Sequence, residues 1–193
     1  MDKEEQSVAI KYNLNSSKVE AAARGWLKER GVELPEISTL VYNAQKEYYP
    51  QLTVEECEAA VNRVLSKREV HNALLVGIQL DRLAEKGALD SPLQELVEND
   101  EKLFGCDEVL ALSIVNVYGS IGFTNYGYLD KTKPGILERL NDRHDVACHT
   151  FLDDLVGAIA ASACSYIAHR QQAHAEQQER GEQPTPVGAV PAD

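Results

Sequence analysis

Long apolar runs are missing from this chain of 193 residues. No stretch reaches the roughly 18 apolar residues that a membrane-crossing helix needs. The longest contender, residues 152–168, is broken by Asp153, Asp154, Ser162 and Ser165. Positive charge is also scarce: 19 Lys and Arg against 31 Asp and Glu give a formal net charge of −12. That balance argues against a nucleic-acid backbone as partner, and against unaided attraction to an anionic membrane surface. The polar start M-D-K-E-E-Q lacks the apolar core of a signal peptide. The four cysteines, Cys57, Cys106, Cys148 and Cys164, form no C-x-x-C pair and match no zinc spacing. They are expected as reduced, mostly buried thiols of a cytoplasmic protein. Internal repeats and convincing strand alternation are absent too.

What is present is helical period. Residues 1–15 read as a polar lead-in. Ser16-Ser17 ahead of Lys18-Val19-Glu20 cap a helix that runs through Trp26 and Leu27 to Gly31. After Pro35, Ile37, Leu40, Val41 and Ala44 recur at amphipathic spacing. Thr53-x-x-Glu56 is a capping box ahead of Cys57, Ala60, Val61 and Val64. A longer helix carries Val70, Ala73, Leu74, Ile78 and Leu80 and ends near Gly87. Its polar members Gln79 and Asp81 are assigned to the surface, and Asn72 beside His71 is a secondary site candidate. Ser91-Pro92 opens a short helix.

The run 109–117 is apolar over most of its circumference, which predicts a central, buried helix. Tyr118-Gly119-Ser120 and Asn125-Tyr126-Gly127 read as backbone bends. Pro134-Gly135 starts a short helix, and the last helix spans about residues 150–170. Residues 175–193 have no apolar period and are expected to be disordered. The fold expected is all-α: a single domain over residues 16–172, a bundle of about seven or eight helices with one buried central helix.

Carboxylates bunch in three places. Asp107-Glu108 heads the apolar helix, where two acids could simply favour the positive end of a helix dipole, worth about 0.3–1 kcal/mol. Asp153-Asp154 heads the last helix, followed by Gly157, Ala158, Ala160, Ala161 and Ala163. Small residues let neighbouring backbones approach, which predicts that this helix too is central and places these acids near other helices. Asp130-Lys131-Thr132-Lys133-Pro134 is either a surface turn before a proline-started helix or part of a phosphate site, in which lysine supplies a mobile point charge. His149, four residues before Asp153, is either a capping or ion-paired histidine or a ligand-binding one. An unpaired buried charge costs about several kcal/mol, so clustered acids need a positive partner, either the lysines or a divalent cation.

Taken together, C-D-E at 106–108, L-D-K-T-K-P at 129–134 and D-D-L-V-G at 153–157 resemble, in order and spacing, the three acidic motifs of the phosphatidylglycerophosphatase A family. The likeness extends to its branch without membrane spans, labelled low-temperature-requirement C. Cys106 stands where membrane-bound relatives have Trp, and no early G-T-x-G-S motif is present. The resemblance implies Mg²⁺-dependent hydrolysis of the phosphate monoester of phosphatidylglycerophosphate within a helical bundle. It carries over Asp107, Glu108, Asp130, Asp153 and Asp154 as the metal-holding carboxylates. Asp130, Lys133 and Asp154 would be catalytic, and Lys131, Lys133 and His149 would meet the substrate. The partner is then a phospholipid phosphate headgroup, met peripherally at the inner membrane face, or a small phosphate ester. Ala- and Gly-rich helix faces leave a homo-oligomer open. The alternative to an enzyme is a non-catalytic helical binding or regulatory module.

Overall fold

The computed structural model describes residues 15–142 and 147–181; the expected lead-in 1–14 and residues 182–193 lie outside that range. The described residues form nine α-helices, a short 3-10 turn and no strand. The helices are α1 (Ser16–Glu29), α2 (Leu34–Gln45), α3 (Val54–Val64), α4 (Arg68–Ala84), α5 (Leu93–Glu98), α6 (Cys106–Val115), α7 (Ser120–Thr132), α8 (Ile136–Asn141) and α9 (Leu152–Glu179). The turn, Asn116–Tyr118, joins α6 to α7. No helix among them is long and apolar enough to cross a membrane.

Local chemistry sets the early boundaries. Asn15, one residue before the expected serines, caps α1 by accepting from the amide of Ser17 at 2.9 Å. Thr53 and Glu56 form the reciprocal capping box that starts α3. Cys57, Ala60, Val61 and Val64 then face the core. Two cysteines, Cys57 and Cys164, are buried, Cys148 is half-buried, Cys106 is exposed, and none is in a disulfide.

The central helix is α9, not the 109–117 run. Every residue from Leu152 to Ser165 is buried. The α9 helix packs against α2, α3, α4, α6, α7 and α8. In α6 only one side is buried, through Ala111, Ile114 and Val115, while Val109 is 67% exposed and Val117, in the turn that follows, 44%. The physical reason is size. A helix surrounded on all sides must be thin, and the Gly and Ala of α9 let neighbours in where the branched side chains of 109–117 would hold them off.

Two other expectations change. Asn125-Tyr126-Gly127 lies inside α7 rather than at a bend, whereas Gly119 (φ +74°) does break the chain. The last helix continues to Glu179, so residues 175–179 are helical rather than disordered. Gln and Glu are good helix formers, and Gln172 donates to Glu176 one turn on at 3.0 Å.

Candidate active site

Three helix ends converge on one cavity of about 280 Å³: the start of α6, the end of α7 and the start of α9. Its walls carry Asp107, Glu108, Asp130, Lys133, Asp153 and Asp154. Asp100, Glu101, Lys102, Asn141 and Thr150 complete them; the sequence reading had assigned none of these five a role.

Backbone turns aim the side chains. Gly105 adopts φ +65°, a left-handed conformation that suits glycine, and turns the chain into α6 so that Asp107 and Glu108 fall in its first turn. At the end of α7, Lys133 is itself left-handed, at φ +41°. Its amide still closes on the Leu129 carbonyl at 2.8 Å, and Pro134 prevents the helix from continuing. The ammonium folds back among three carboxylates. Lys133 Nζ lies 2.7 Å from Asp130 Oδ1, 2.8 Å from Asp153 Oδ2 and 3.0 Å from Asp154 Oδ1.

Electrostatics follow from this packing. Burial alone would lower the Lys133 pKa, but the charges of Asp153 and Asp154 outweigh it and hold the ammonium protonated well above its usual range. Burial, then the adjacent charge of Asp153, pushes Asp154 up to about 8, against the pull of Lys133. Burial raises Asp153 as well, and Lys133 opposes it. Asp107 is raised to about 7, first by burial and then by its interaction with Glu108.

A second grouping overlaps the first. Oxygens of Asp107, Glu108 and Asp154 lie within 4.8 Å of one another. Glu108 Oε2 is shielded from solvent and accepts no hydrogen bond. Hard carboxylate oxygens gathered around one orphaned acceptor are the donor set that suits a small divalent cation. The five expected metal carboxylates therefore divide: Asp130 and Asp153 are ion-paired to Lys133, Asp107 and Glu108 are not, and Asp154 belongs to both groups.

Other candidates stand elsewhere. Lys131 is exposed and does not line the cavity. His149 is buried with Nδ1 3.0 Å from the Leu140 carbonyl, and it too is absent from the lining. Asn72 is exposed, and the ring of His71 meets the Leu65 carbonyl at 2.6 Å. Two buried groups close to the site went unread. The hydroxyl of Tyr126 is enclosed without a hydrogen-bond partner, and its pKa is raised by burial and then by Asp154. Its place four residues before Asp130 on α7 was the available signal. Asp81, expected at the surface, is completely buried. Its spacing, three residues after Ile78 and seven after Leu74, was the available signal, and its partners are the backbone amides of Phe151 and Leu152.

Fold and site together define an all-helical protein with a carboxylate-rich cavity, lined also by Lys102 and Lys133, at the junction of three helix ends. A family model described as phosphatidylglycerophosphatase A matches residues 25–169, and the chain belongs to that family. It is 63% identical over 158 residues to the uncharacterized protein YutG of Bacillus subtilis (strain 168), covering 82% of this chain and 95% of that protein. A solved Bacillus stearothermophilus protein of unknown function is 66% identical, with a TM-score of 0.76 over 78% of this chain and 94% of the other. The crystal structure of the low temperature requirement C protein of Listeria monocytogenes superposes with a TM-score of 0.80 at 59% identity, covering 82% of this chain and 99% of that one.

Proposed function

We propose that this protein is a metal-dependent phosphomonoester hydrolase. In this reading it removes the terminal phosphate of a phosphatidylglycerophosphate-like lipid and leaves phosphatidylglycerol. Family membership supports the reaction class. The observation that carries the proposal is the sharing of one cavity by Lys133 and the trio Asp107, Glu108 and Asp154.

The trio would hold a divalent cation, and Mg²⁺ fits its all-oxygen donor set. When bound, such a cation supplies charge neutralisation at the phosphoryl oxygens and a more acidic water. The chain's own groups do the rest. Lys133 Nζ gives a point charge to the phosphate by exchanging one of its three carboxylate contacts for a phosphoryl oxygen. Asp130, outside the trio, accepts the proton of the attacking water. Thr150 and Asn141 offer neutral hydrogen-bonding groups on the cavity wall.

The cavity, at about 280 Å³, lies just below the usual range for small-molecule sites, about 300–1,000 Å³. It therefore receives a phosphate headgroup and leaves acyl chains outside, in the membrane from which a cytoplasmic protein would draw the lipid. A second reading, hydrolysis of a soluble phosphate ester, is favoured by one observation: none of the described helices can cross a membrane.

Phosphate release from the lipid in mixed micelles, compared with release from glycerol 3-phosphate and with and without EDTA, tests both readings. Metal-dependent release from the lipid is the expected result. Release from the soluble ester alone would move the assignment to the second reading. No release from either would leave a non-catalytic helical module.

A further inference from the structure

We propose that one face of α4 together with its C-cap residue, made of Gly77, Asp81 and Glu85, is a positioning device for the carboxylate site, although none of the three acidic segments contains it. These residues are spaced i, i+4 and i+8, so they form one stripe along the helix. The stripe meets the chain where it turns into α9, immediately before Asp153 and Asp154.

Each member does a different job. Gly77 sets the distance. A Cβ at this position would stand 2.5 Å from Leu155 Cδ1 and 2.9 Å from Phe151 Cβ, so α4 lies closer to the first turn of α9 than any side chain permits. Asp81 sets the direction. Its Oδ1 accepts the amide of Phe151 and its Oδ2 the amide of Leu152, both at 3.1 Å. Phe151, at the N-cap position of α9, makes no side-chain capping bond, so the cap comes from another helix. Burial pushes the Asp81 carboxyl well above the usual range, while the two amides and Arg30 pull it back. A carboxylate with no solvent contact is retained where donors of this kind offset its desolvation.

Glu85 sets the approach. Its Oε1 accepts the Cys148 amide at 3.0 Å, and Arg30 forks onto both of its oxygens at 2.6 and 3.0 Å. Arg30 also donates to the Cys148 carbonyl at 2.6 Å, so this residue is held by its N–H and its C=O. From Cys148 to Leu152 the backbone is therefore pinned to α4 and α1. The side chains that follow, Asp153 and Asp154, have their direction fixed before Lys133 or any cation meets them.

The activity arm of the test rests on the phosphatase reading and the Mn²⁺ arm on its cation site; the thermal arm rests on neither. Asp81→Asn keeps the shape but sets an amide nitrogen against one of the two backbone donors. Gly77→Ala displaces the helices without touching a polar group, and serves if Asp81→Asn fails to fold. The control is Ser165→Ala, which removes a buried hydroxyl that donates to the Tyr118 carbonyl at 2.7 Å, about three turns further along α9. In Asp81→Asn and Gly77→Ala, kcat should fall about 10- to 100-fold while KM stays within about threefold. Mn²⁺ affinity, read by electron paramagnetic resonance of the full-length protein, should weaken about tenfold. Ser165→Ala should lower the melting temperature yet leave both quantities within about twofold.

Unchanged kcat and Mn²⁺ affinity in folded Asp81→Asn, or equal losses in Ser165→Ala, would overturn the proposal. Wild-type protein that neither turns over phosphate esters nor binds Mn²⁺ would instead remove the phosphatase reading. The decision would then pass to a thermal double-mutant cycle of Asp81→Asn with Lys133→Met, which needs no metal or substrate. A smaller melting loss from Lys133→Met in the Asp81→Asn background supports positioning, and strict additivity rejects it.

Discussion

The two sides of the cavity carry the same kind of charge in different conditions. On one side Asp130 and Asp153 rest on an ammonium, 2.7 and 2.8 Å from Lys133 Nζ. On the other, Asp107 and Glu108 gather with Asp154, and Glu108 Oε2 has no donor at all. The first side is neutralised from within the chain, by a lysine three residues after Asp130 whose backbone is left-handed just before Pro134. On the second no ion pair reaches Asp107 or Glu108 among the described residues, and burial raises Asp107 to about 7 and, against the pull of Lys133, Asp154 to about 8. A carboxylate site thus acquires a permanent counter-ion where local sequence supplies one, and is left ready for an external cation where it does not.

The largest effect should come from the residue common to both sides. Asp154→Asn is expected to lower phosphate turnover by about 10²–10³-fold while retaining helical circular dichroism. Full turnover in the folded variant would remove Asp154 from the chemistry.

Lys133→Met turns the neutralised side into a copy of the other. Turnover should fall by about 10²-fold, and stability by about 1–2 kcal/mol in a denaturant melt, since the three carboxyls can recover part of the loss by taking up protons. A variant as active as wild type would mean that the ammonium is structural only.

The protonated side should show itself in the pH dependence of the metal-free protein. Asp107 and Asp154 have folded pKa values above the unfolded carboxylate value of about 3.9. The folded state therefore holds more protons than the unfolded one between these limits. The stability these groups contribute is complete at low pH and is lost as pH rises through about 7 and then about 8. In EDTA the melting temperature should decline from pH 6 to pH 9 by about a few degrees, and millimolar Mg²⁺ should flatten the decline. Identical curves with and without the metal would contradict the division of the cluster.

The smallest change should come from Lys131→Ala. Its side chain is exposed and off the cavity, so turnover should stay within about twofold in the same assay. A larger loss would bring a second lysine to the phosphate and erase the contrast between the two sides.

Much of the bundle was legible because it is written locally. The Thr53–Glu56 capping box and the 3.6-residue period of α2 and α3 each depend on neighbours within a turn or two. The same holds for Lys133, Pro134 and the acids at helix starts, so the three acidic segments could be singled out before any packing was known. Asp81 could be read only in part. Its spacing from Leu74 and Ile78 puts it on the buried stripe of α4, but its charge assigned it to the surface. Only the amides of Phe151 and Leu152, 70 and 71 residues away, explain its burial.

The sequence by itself determined that the chain is helical and where most helices begin, because capping, periodicity and turn chemistry act over a few residues, and its likeness to a known family singled out the acidic motifs. Tertiary structure decided that α9 rather than the 109–117 run is enclosed on all sides, that Lys133 claims Asp130 and Asp153 but shares Asp154, and that α4 caps the helix carrying the third motif. Those outcomes depend on which surfaces exclude water together and on the distances between groups far apart in the chain, and neither quantity is carried by local pattern.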